Sequence, residues 1–453
     1  MYGGIKWKLT RSPVLPASFQ AAGGCSSEGA TGRFYKIRAK KTENNMLDKK
    51  LALKIFEGFS IQRWTDLVRP FDIVEMDKAA EKMIVAFMLG KAEEKKGRFV
   101  DWSWMIYASL FDFLRKISLC DIKAPVQAML KRDYPVEFTH LNEWVLSQYK
   151  PLLGDDELFK MFTIYIGQKN GSIDIPEKTR LTERILSAAH KYASFRELCM
   201  LSVVNEPLRI QKITNELKEE LQQYLDLSGL QPLMMEQKSF EFLLKVEQLR
   251  FQVRWNQTPR VPKTSVMGHC YFVAVLTLLL CRLSTVKMNE KRIVNNYFCA
   301  LFHDLPEAVT RDIISPVKSA TIELPNVVKQ IEDKIVFDEL VPLMDKSFSE
   351  ELIFFIRDEF SNRGLAPDGE EKELSLDEMG RLMEREGFIV VDGRLVRVAD
   401  HLSALMEADS SIKHGITSSH LEYGRTGMLN HYKAGELVNG VDAGKLFKEI
   451  AGE

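Results

Sequence analysis

Residues 301–318 read Leu-Phe-His-Asp-Leu-Pro-Glu-Ala-Val-Thr-Arg-Asp-Ile-Ile-Ser-Pro-Val-Lys and carry the most informative pattern in the chain. His303 and Asp304 are adjacent, Glu307 follows three positions later, and Asp312 lies five positions beyond that. These groups stand in an otherwise apolar helical context. Burial of side chains that bind metals or exchange protons costs free energy unless they are paired or coordinate an ion. Their presence in this stretch therefore predicts part of a metal site.

The composition argues against several classes of partner, and a local basic patch stays open. Of 453 residues, 62 are Lys or Arg and 63 are Asp or Glu, and this balance argues against charge-driven binding to nucleic acid or an anionic membrane. The six cysteines form no CxxC pair, which is typical of a reducing compartment, so we expect a cytoplasmic location. The longest apolar run, around Tyr271–Cys281, is too short to span a bilayer, and no membrane partner is expected.

Apolar periodicity predicts an all-α protein. Apolar stripes at helical spacing follow one another from Leu47 onward, and strand-like alternation is confined to Gly387–Gly393, a candidate hairpin or short edge strand. Residues 1–45 are rich in Gly, Ser and Lys without apolar periodicity, so we expect a disordered extension. Met46 is a candidate for the natural start.

The chain contains a hidden repeat. Arg63-Trp64 recurs as Arg254-Trp255, 191 positions later. The same offset relates several further identical pairs: Arg69 and Arg260, Met76 and Met267, Leu110-Phe111 and Leu301-Phe302, Asp121 and Asp312, and Pro125-Val126 and Pro316-Val317. Further on, the segment ending at His190 resembles the segment ending at Asp400, at an offset of 210. We therefore predict two tandem helical domains, an N-terminal half (46–228) and a C-terminal half (236–453), joined by a linker (229–235).

The two halves differ at the polar positions. The C-terminal half has His269, His303, Asp304, Glu307 and Asp400 where the N-terminal half has Lys78, Asp112, Phe113, Lys116 and His190. A phenyl ring cannot bind a metal and a lysine repels one, so the N-terminal half should not perform the chemistry. We expect it to stabilise or regulate the other half as an intramolecular pseudo-dimer, and a homodimer of the whole chain remains open.

Four side chains of the C-terminal half form a candidate ligand set for one divalent metal ion: His269, His303, Asp304 and Asp400. Imidazole and carboxylate suit Mn, Co, Ni, Zn or Fe. Such an ion lowers the pKa of its bound water from ~15.7 toward ~7, and the resulting hydroxide can attack a phosphoester. Taken singly, each residue has an ordinary alternative: His269 as a core histidine, Asp400 as an ion-pair partner, and Glu307 as a first-turn acid that favours a helix N-terminus.

The C-terminal half resembles the HD superfamily of metal-dependent phosphohydrolases, whose pattern is H…HD…D, and within it the bacterial 5′-deoxynucleotidase type. Arg254-Trp255 precedes His269 at that family's spacing. The segment from His303 to Lys318 follows the pattern His-Asp-x-x-Glu-x-x-Thr-x-Asp-x-x-x-Pro-Val-Lys, and Val396-Arg-Val-Ala-Asp400 provides the closing helix. One position departs from the family pattern: the family often has Glu directly before the first His, and this chain has Gly268 there.

The resemblance implies a role for each matching residue. Asp304 and its three partners would bind the metal, and Glu307 would act as general acid or base. Arg254 would hold the substrate phosphate, while Trp255 would pack near the sugar. Asp312 would accept a sugar hydroxyl, and Lys318 would assist in binding substrate. Trp64 and Asp121 occur in the N-terminal half as well, so a scaffold role stays open for Trp255 and Asp312.

The predicted function is removal of phosphate from nucleotides, with 5′-deoxynucleoside monophosphates as the expected small-molecule substrates. An HD phosphodiesterase or a nucleoside-polyphosphate hydrolase is the alternative among enzymes. A non-catalytic nucleotide-sensing protein is the alternative of another class, although a sensor has no need of the proton-transfer group Glu307.

Overall fold

The computed structural model describes residues 47–120, 122–311 and 321–453. The predicted extension 1–45, Met46, Asp312 and Lys318 lie outside the described residues. Within them the all-α prediction is confirmed: helices follow one another along the chain and strands are few and short.

Eight α-helices precede the predicted linker in the described part of the chain. They are α1 (Lys49–Phe56), α2 (Glu75–Glu94), α3 (Trp102–Leu119), α4 (Ala124–Asp133), α5 (Pro135–Tyr149), α6 (Asp156–Asn170), α7 (Glu177–Ser202) and α8 (Pro207–Gln222). The predicted linker contains a short helix, α9 (Leu230–Met234), whose Leu230 and Leu233 are buried.

The remaining helices carry the candidate site. They are α10 (Lys238–Phe251), α11 (Val266–Leu283), α12 (Glu290–Phe302), α13 (Glu307–Thr310), α14 (Leu324–Glu339), α15 (Ser349–Ile356), α16 (Leu376–Leu382), α17 (Gly393–Lys413), α18 (Ser419–His431) and α19 (Ala443–Ala451). Two short 3-10 helices span Glu57–Phe59 and Val341–Leu343.

A small antiparallel sheet precedes α17. Its strands are β1 (Asn362–Leu365), β2 (Glu371–Glu373) and β3 (Ile389–Asp392), in the order β2-β1-β3. The edge strand predicted within Gly387–Gly393 is therefore confirmed as β3, which pairs with β1 from Asn362↔Asp392 to Leu365↔Ile389. The sequence analysis missed β1, β2 and the two-residue pair β4 (Leu437–Val438) and β5 (Val441–Asp442).

Asp392, at the end of β3, joins α12 to the start of α17. Its carboxylate is fully buried and accepts hydrogen bonds from the Arg292 guanidinium at 2.6 Å, from Asn296 at 2.9 Å and from Asn439 at 2.7 Å. A buried carboxylate is stable only when its oxygens are satisfied in this way. The network holds together the two helices that present His303 and Asp400.

Helix α11 forms the centre of the core. It packs against α2, α12 and α17, and its residues from Val266 to Cys281 are buried. The helix is apolar and long enough to cross a membrane by length and composition, but 89% of it is buried inside the protein, as expected of a core helix. Apolar residues all around a helix are typical of such a position.

Helices from both parts of the chain meet in one core. Helix α2 packs on α11 and α3 packs on α12. The rings of Phe113 and Tyr271 lie 5.2 Å apart across this contact, and those of Phe87 and Phe298 lie 4.9 Å apart. The described residues belong to one compact unit. The apolar surface of each half is therefore buried partly against the other.

The contact also explains Gly268. A Cβ atom there would lie 2.6 Å from Asp77 Oδ1 and 2.8 Å from the Phe59 ring. Asp77 belongs to α2 and accepts a hydrogen bond from the hydroxyl of Ser265, the residue that caps α11. A glutamate at position 268, as the resembled family often has, would collide with the N-terminal half.

Backbone geometry recurs at the offset of 191. The Gln62↔Val74 bridge has its equivalent in Val253↔Ser265, and both tryptophans of the Arg-Trp pairs have positive φ, 55° at Trp64 and 56° at Trp255. Few non-glycine residues adopt this conformation. The loop before α2 and the loop before α11 therefore share this bridge and this conformation.

Candidate metal centre

Three chain segments bring the predicted ligands together. His269 lies in the first turn of α11, which begins after the N-cap Ser265. His303 caps the C-terminus of α12, Asp304 follows it, and Asp400 lies in the second turn of α17. Both histidines are buried, whereas 18% of the Asp304 side chain and 21% of the Asp400 side chain are exposed. The site therefore opens to solvent on its carboxylate side.

The side-chain atoms of this set converge. His269 Nε2 lies 3.1 Å from Asp400 Oδ1 and 3.6 Å from Asp304 Oδ2, and His303 Nε2 lies 3.3 Å from Asp304 Oδ2. Ligand atoms of His269, His303 and Asp304 all lie within 4.8 Å of one another. These separations are short enough for one small cation to contact His269, His303 and Asp304 together, with Asp400 beside His269.

Hydrogen bonds at the far side of each ring orient the imidazoles. His303 Nδ1 lies 2.7 Å from the carbonyl oxygen of Ala300, which can only accept, so Nδ1 carries the proton and Nε2 is free to act as a ligand. His269 Nδ1 lies 3.0 Å from the hydroxyl of Ser403. Among the described residues neither Nε2 atom has a hydrogen-bond partner.

This donor set fits a divalent transition metal. Buried imidazole nitrogens without a partner face two carboxylates, and such an arrangement is stabilised by a cation between them or by protonation of the imidazoles. Burial disfavours the charged form of Asp304, but His303, His269 and Arg254 outweigh it and lower its pKa to about 2. Asp400 also has a lowered pKa, because His269 and Arg254 overcome the effect of burial. Both carboxylates are therefore ionised at neutral pH.

Arg254 lies beside the carboxylates. Its NH1 is 3.5 Å from Asp304 Oδ2 and its NH2 is 3.9 Å from Asp400 Oδ1. Burial would lower the pKa of Arg254, but Glu407 and then Asp400 and Asp304 raise it well above its ordinary value. The guanidinium is thus permanently charged and borders the opening of the metal site.

Glu407 holds Arg254 in place, and the sequence analysis missed it. This fully buried carboxylate lies 3.4 Å from Arg254 Nε and accepts hydrogen bonds from Trp255 Nε1 at 2.9 Å and Thr264 Oγ1 at 2.8 Å. The sequence contained an indication of this residue, because Glu407 corresponds to Glu197 at the offset of 210 and both halves therefore have a glutamate there.

Trp255 has a structural position in this arrangement. Beyond its bond to Glu407, its indole ring packs on Gly424, where a Cβ atom would lie 2.7 Å from the ring. The equivalent Trp64 donates a hydrogen bond to Glu197 at 2.8 Å, and Arg63 also contacts that carboxylate. The Arg-Trp-Glu arrangement therefore occurs in both halves and does not require the metal ligands.

Glu307 begins α13, one turn after Asp304, to whose carbonyl oxygen its backbone N–H donates at 3.0 Å. The side-chain amide of Gln252 donates to the Glu307 carbonyl oxygen at 2.8 Å and so ties this turn to the end of α10. The sequence analysis missed Gln252. At the offset of 191, Gln252 corresponds to Ile61 and Glu307 corresponds to Lys116. The two residues therefore differ together between the halves, and this joint difference could have indicated that they act together.

Comparisons with known proteins agree with this geometry. A family model described as HD domain matches residues 246–425. The 4'-phosphooxetanocin A phosphatase of Priestia megaterium is 33% identical over 81 residues, which cover 17% of this chain and 40% of that protein. The chain thus spans less than half the length of this curated relative. No solved structure matches the chain significantly. These findings support a metal-dependent phosphohydrolase in general.

Proposed function

We propose that the C-terminal half is a metal-dependent phosphomonoesterase of the HD superfamily that acts on nucleotides, with 5′-deoxynucleoside monophosphates as the expected substrates. One observation carries the proposal: two buried imidazoles and two ionised carboxylates converge beside the charged Arg254 and one turn from Glu307. The similarity to a protein named as a phosphatase favours monoester hydrolysis.

In this proposal His269, His303, Asp304 and Asp400 hold the ion, which when bound activates a water nucleophile and offsets phosphoryl charge. Arg254 binds the phosphate through its planar fork, exchanging its long contacts with Asp304 and Asp400 for the substrate. Glu407 keeps the guanidinium oriented during that exchange.

Glu307 is proposed to transfer the proton. Its position at the start of α13 places it one turn from the ligand Asp304 but outside the ligand set. The bond from Gln252 to its carbonyl oxygen fixes the backbone of this turn. A general acid or base contributes typically ~10²–10⁴-fold to the rate.

The decisive experiment measures phosphate release and bound metal in the same samples. A panel of a nucleoside monophosphate, a phosphodiester and a nucleoside triphosphate is offered with added Mn or Co. His303→Ala should lose the metal and the activity, whereas Glu307→Gln should keep the metal and lose at least ~100-fold in kcat. A metal-loaded protein that hydrolyses none of the panel would support a nucleotide sensor instead, and preference for the diester would support a phosphodiesterase.

We further propose that the chain is a tandem repeat in which the N-terminal half serves as a covalent partner of the active half. The recurring loop geometry and the pairing of α2 with α11 and α3 with α12 support this. Polar contacts cross the same boundary, since Arg282 of α11 donates to Asp155 at 2.6 Å and to Tyr107 at 2.9 Å. If residues 236–453 alone were folded, monomeric and fully active, the proposal would fail.

A further inference from the structure

The N-terminal half has a second polar cluster at the positions equivalent to the metal site. Lys78 stands where the C-terminal half has His269, and its side chain is fully buried. Its Nζ donates a hydrogen bond to the His190 carbonyl oxygen at 2.8 Å and another to the Ser194 hydroxyl. An ammonium group thus occupies the space next to α7 that the imidazole of His269 occupies next to α17.

Two further cations converge on a shared carboxylate. Lys116 Nζ lies 3.0 Å from Glu75 Oε1 and 3.4 Å from Asp112 Oδ2. Arg63 NH1 lies 2.6 Å from the other oxygen of Glu75, and its NH2 lies 3.1 Å from Glu197. Arg63 and Lys116 therefore flank one carboxylate from opposite sides.

The two halves carry opposite net charge at these equivalent positions. In the C-terminal half two arginines face four carboxylates, which leaves two negative charges when the imidazoles are neutral; the residues are Arg254, Arg260, Asp304, Glu307, Asp400 and Glu407. In the N-terminal half two arginines and two lysines face two carboxylates, which leaves two positive charges; the residues are Arg63, Arg69, Lys78, Lys116, Asp112 and Glu197. The nearby Glu75 and Lys82 cancel each other.

Burial and the positive surplus lower the pKa of two groups in the cluster, His190 and Lys78. Burial, and then the charges of Lys116 and Lys78, hold the pKa of His190 well below its usual value. Burial likewise lowers the pKa of Lys78, with Arg63 and Lys116 acting in the same direction against Glu197. If Lys78 is neutral, one positive charge still remains in excess. The cluster therefore keeps a net positive charge, which favours the binding of an anion from solvent.

The cluster is as accessible as the metal site. The side chains of Arg63 and Lys116 are 14% and 18% exposed, compared with 15% for Arg254 and 18% for Asp304. Lys78 and Glu197 lie beneath and are not exposed. Arg63 and Lys116 are therefore the cations of the cluster nearest to solvent, and a ligand would meet them beside Glu75.

We propose that this cluster binds a phosphate dianion without a metal, through Arg63 and Lys116 at the opening. The positive surplus favours an anion, and Arg63 has the same place and the same buried carboxylate support as Arg254, whose guanidinium faces the opening of the other site. The phosphate belongs to a nucleotide or is free inorganic phosphate. The inference does not depend on the reaction proposed for the C-terminal half.

The test is calorimetric titration of the full-length protein after its metal has been removed by chelation and gel filtration. The probes are inorganic phosphate, deoxyadenosine 5′-monophosphate and deoxyadenosine. Lys116→Met should weaken phosphate binding about tenfold to a hundredfold, since a charge-assisted contact is lost. Lys116→Arg keeps the charge and should retain binding, and Arg254→Met serves as the matched change in the other half.

The outcomes separate the sources of the ligand. Tighter binding of the monophosphate than of inorganic phosphate identifies a nucleotide, and equal binding identifies free phosphate; both support the site. The proposal is overturned if neither binds, if deoxyadenosine binds as well as its monophosphate, or if Arg254→Met abolishes binding while Lys116→Met preserves it. Should Lys116→Met fail to fold, loss of phosphate binding in a folded Arg63→Gln variant decides the question in the same way, and retention there overturns it.

Discussion

Replacement of Glu407 by glutamine tests how Arg254, the arginine proposed to bind phosphate, is held. Glu407 is buried, contacts Arg254 and accepts hydrogen bonds from Trp255 and Thr264. The amide keeps the size of the side chain but removes its charge. Two guanidinium groups, those of Arg254 and Arg260, then lose the carboxylate that lies between them.

The size of the effect on stability follows from the pKa of Glu407. Burial raises it, but Arg254 and Arg260 overcome this and lower it from 4.5 to about 2. At ~1.36 kcal/mol per pKa unit, the ionised carboxylate contributes about 3 kcal/mol to the free energy of unfolding. Because the folded-state pKa is the lower one, this contribution is full above pH 4.5 and is lost as the pH falls toward 2.

Urea unfolding at pH 7 and pH 4, together with steady-state kinetics, provides the assay. Glu407→Gln should be less stable by about 3 kcal/mol at pH 7, by a smaller amount at pH 4, and should raise KM at least ~10-fold because Arg254 is no longer oriented. Glu247→Gln is the matched control: it breaks a buried pair with Arg196, so it should also destabilise, by ~3–5 kcal/mol, but without a rise in KM. A Glu407→Gln protein as stable as the wild type, or an equal rise in KM in the control, would refute the reasoning.

Three further results are expected. Ser403→Ala removes the hydroxyl that orients His269 and should weaken metal affinity ~10–100-fold in competition with a chelating dye; an unchanged affinity would show that the bond is dispensable. Gln252→Ile, which copies Ile61, should lower kcat about tenfold with full metal occupancy because the Glu307 turn is no longer fixed, and metal loss would point to a different defect. Removal of the metal should lower Tm in a calorimetric scan and its return should restore it, because the ion binds only the folded chain; identical melting curves would count against the site.

The sequence by itself determined the fold class and the candidate ligands. Helical periodicity from Leu47 onward reports which residues face a core, so the all-α architecture follows from the order of residues alone. The candidate ligands belong to a recognisable spacing around His303 and Asp304, and the identities at the offset of 191 separated them from positions that both halves share, such as Arg254 and Trp255. Periodicity also indicated the edge strand β3 but not β1, whose pairing depends on a partner distant in the chain.

Only the tertiary structure decided which groups support those ligands. Glu407 is 153 positions from Arg254, Ser403 is 134 from His269, and Gln252 is 55 from Glu307. Helical periodicity reports whether a residue faces the core but not which buried polar atom it meets there. The charge surplus around Lys78 and Lys116 likewise appears only when α2, α3 and α7 are packed together. Contacts between distant segments depend on how helices are packed, and a single sequence does not encode that packing in any local pattern.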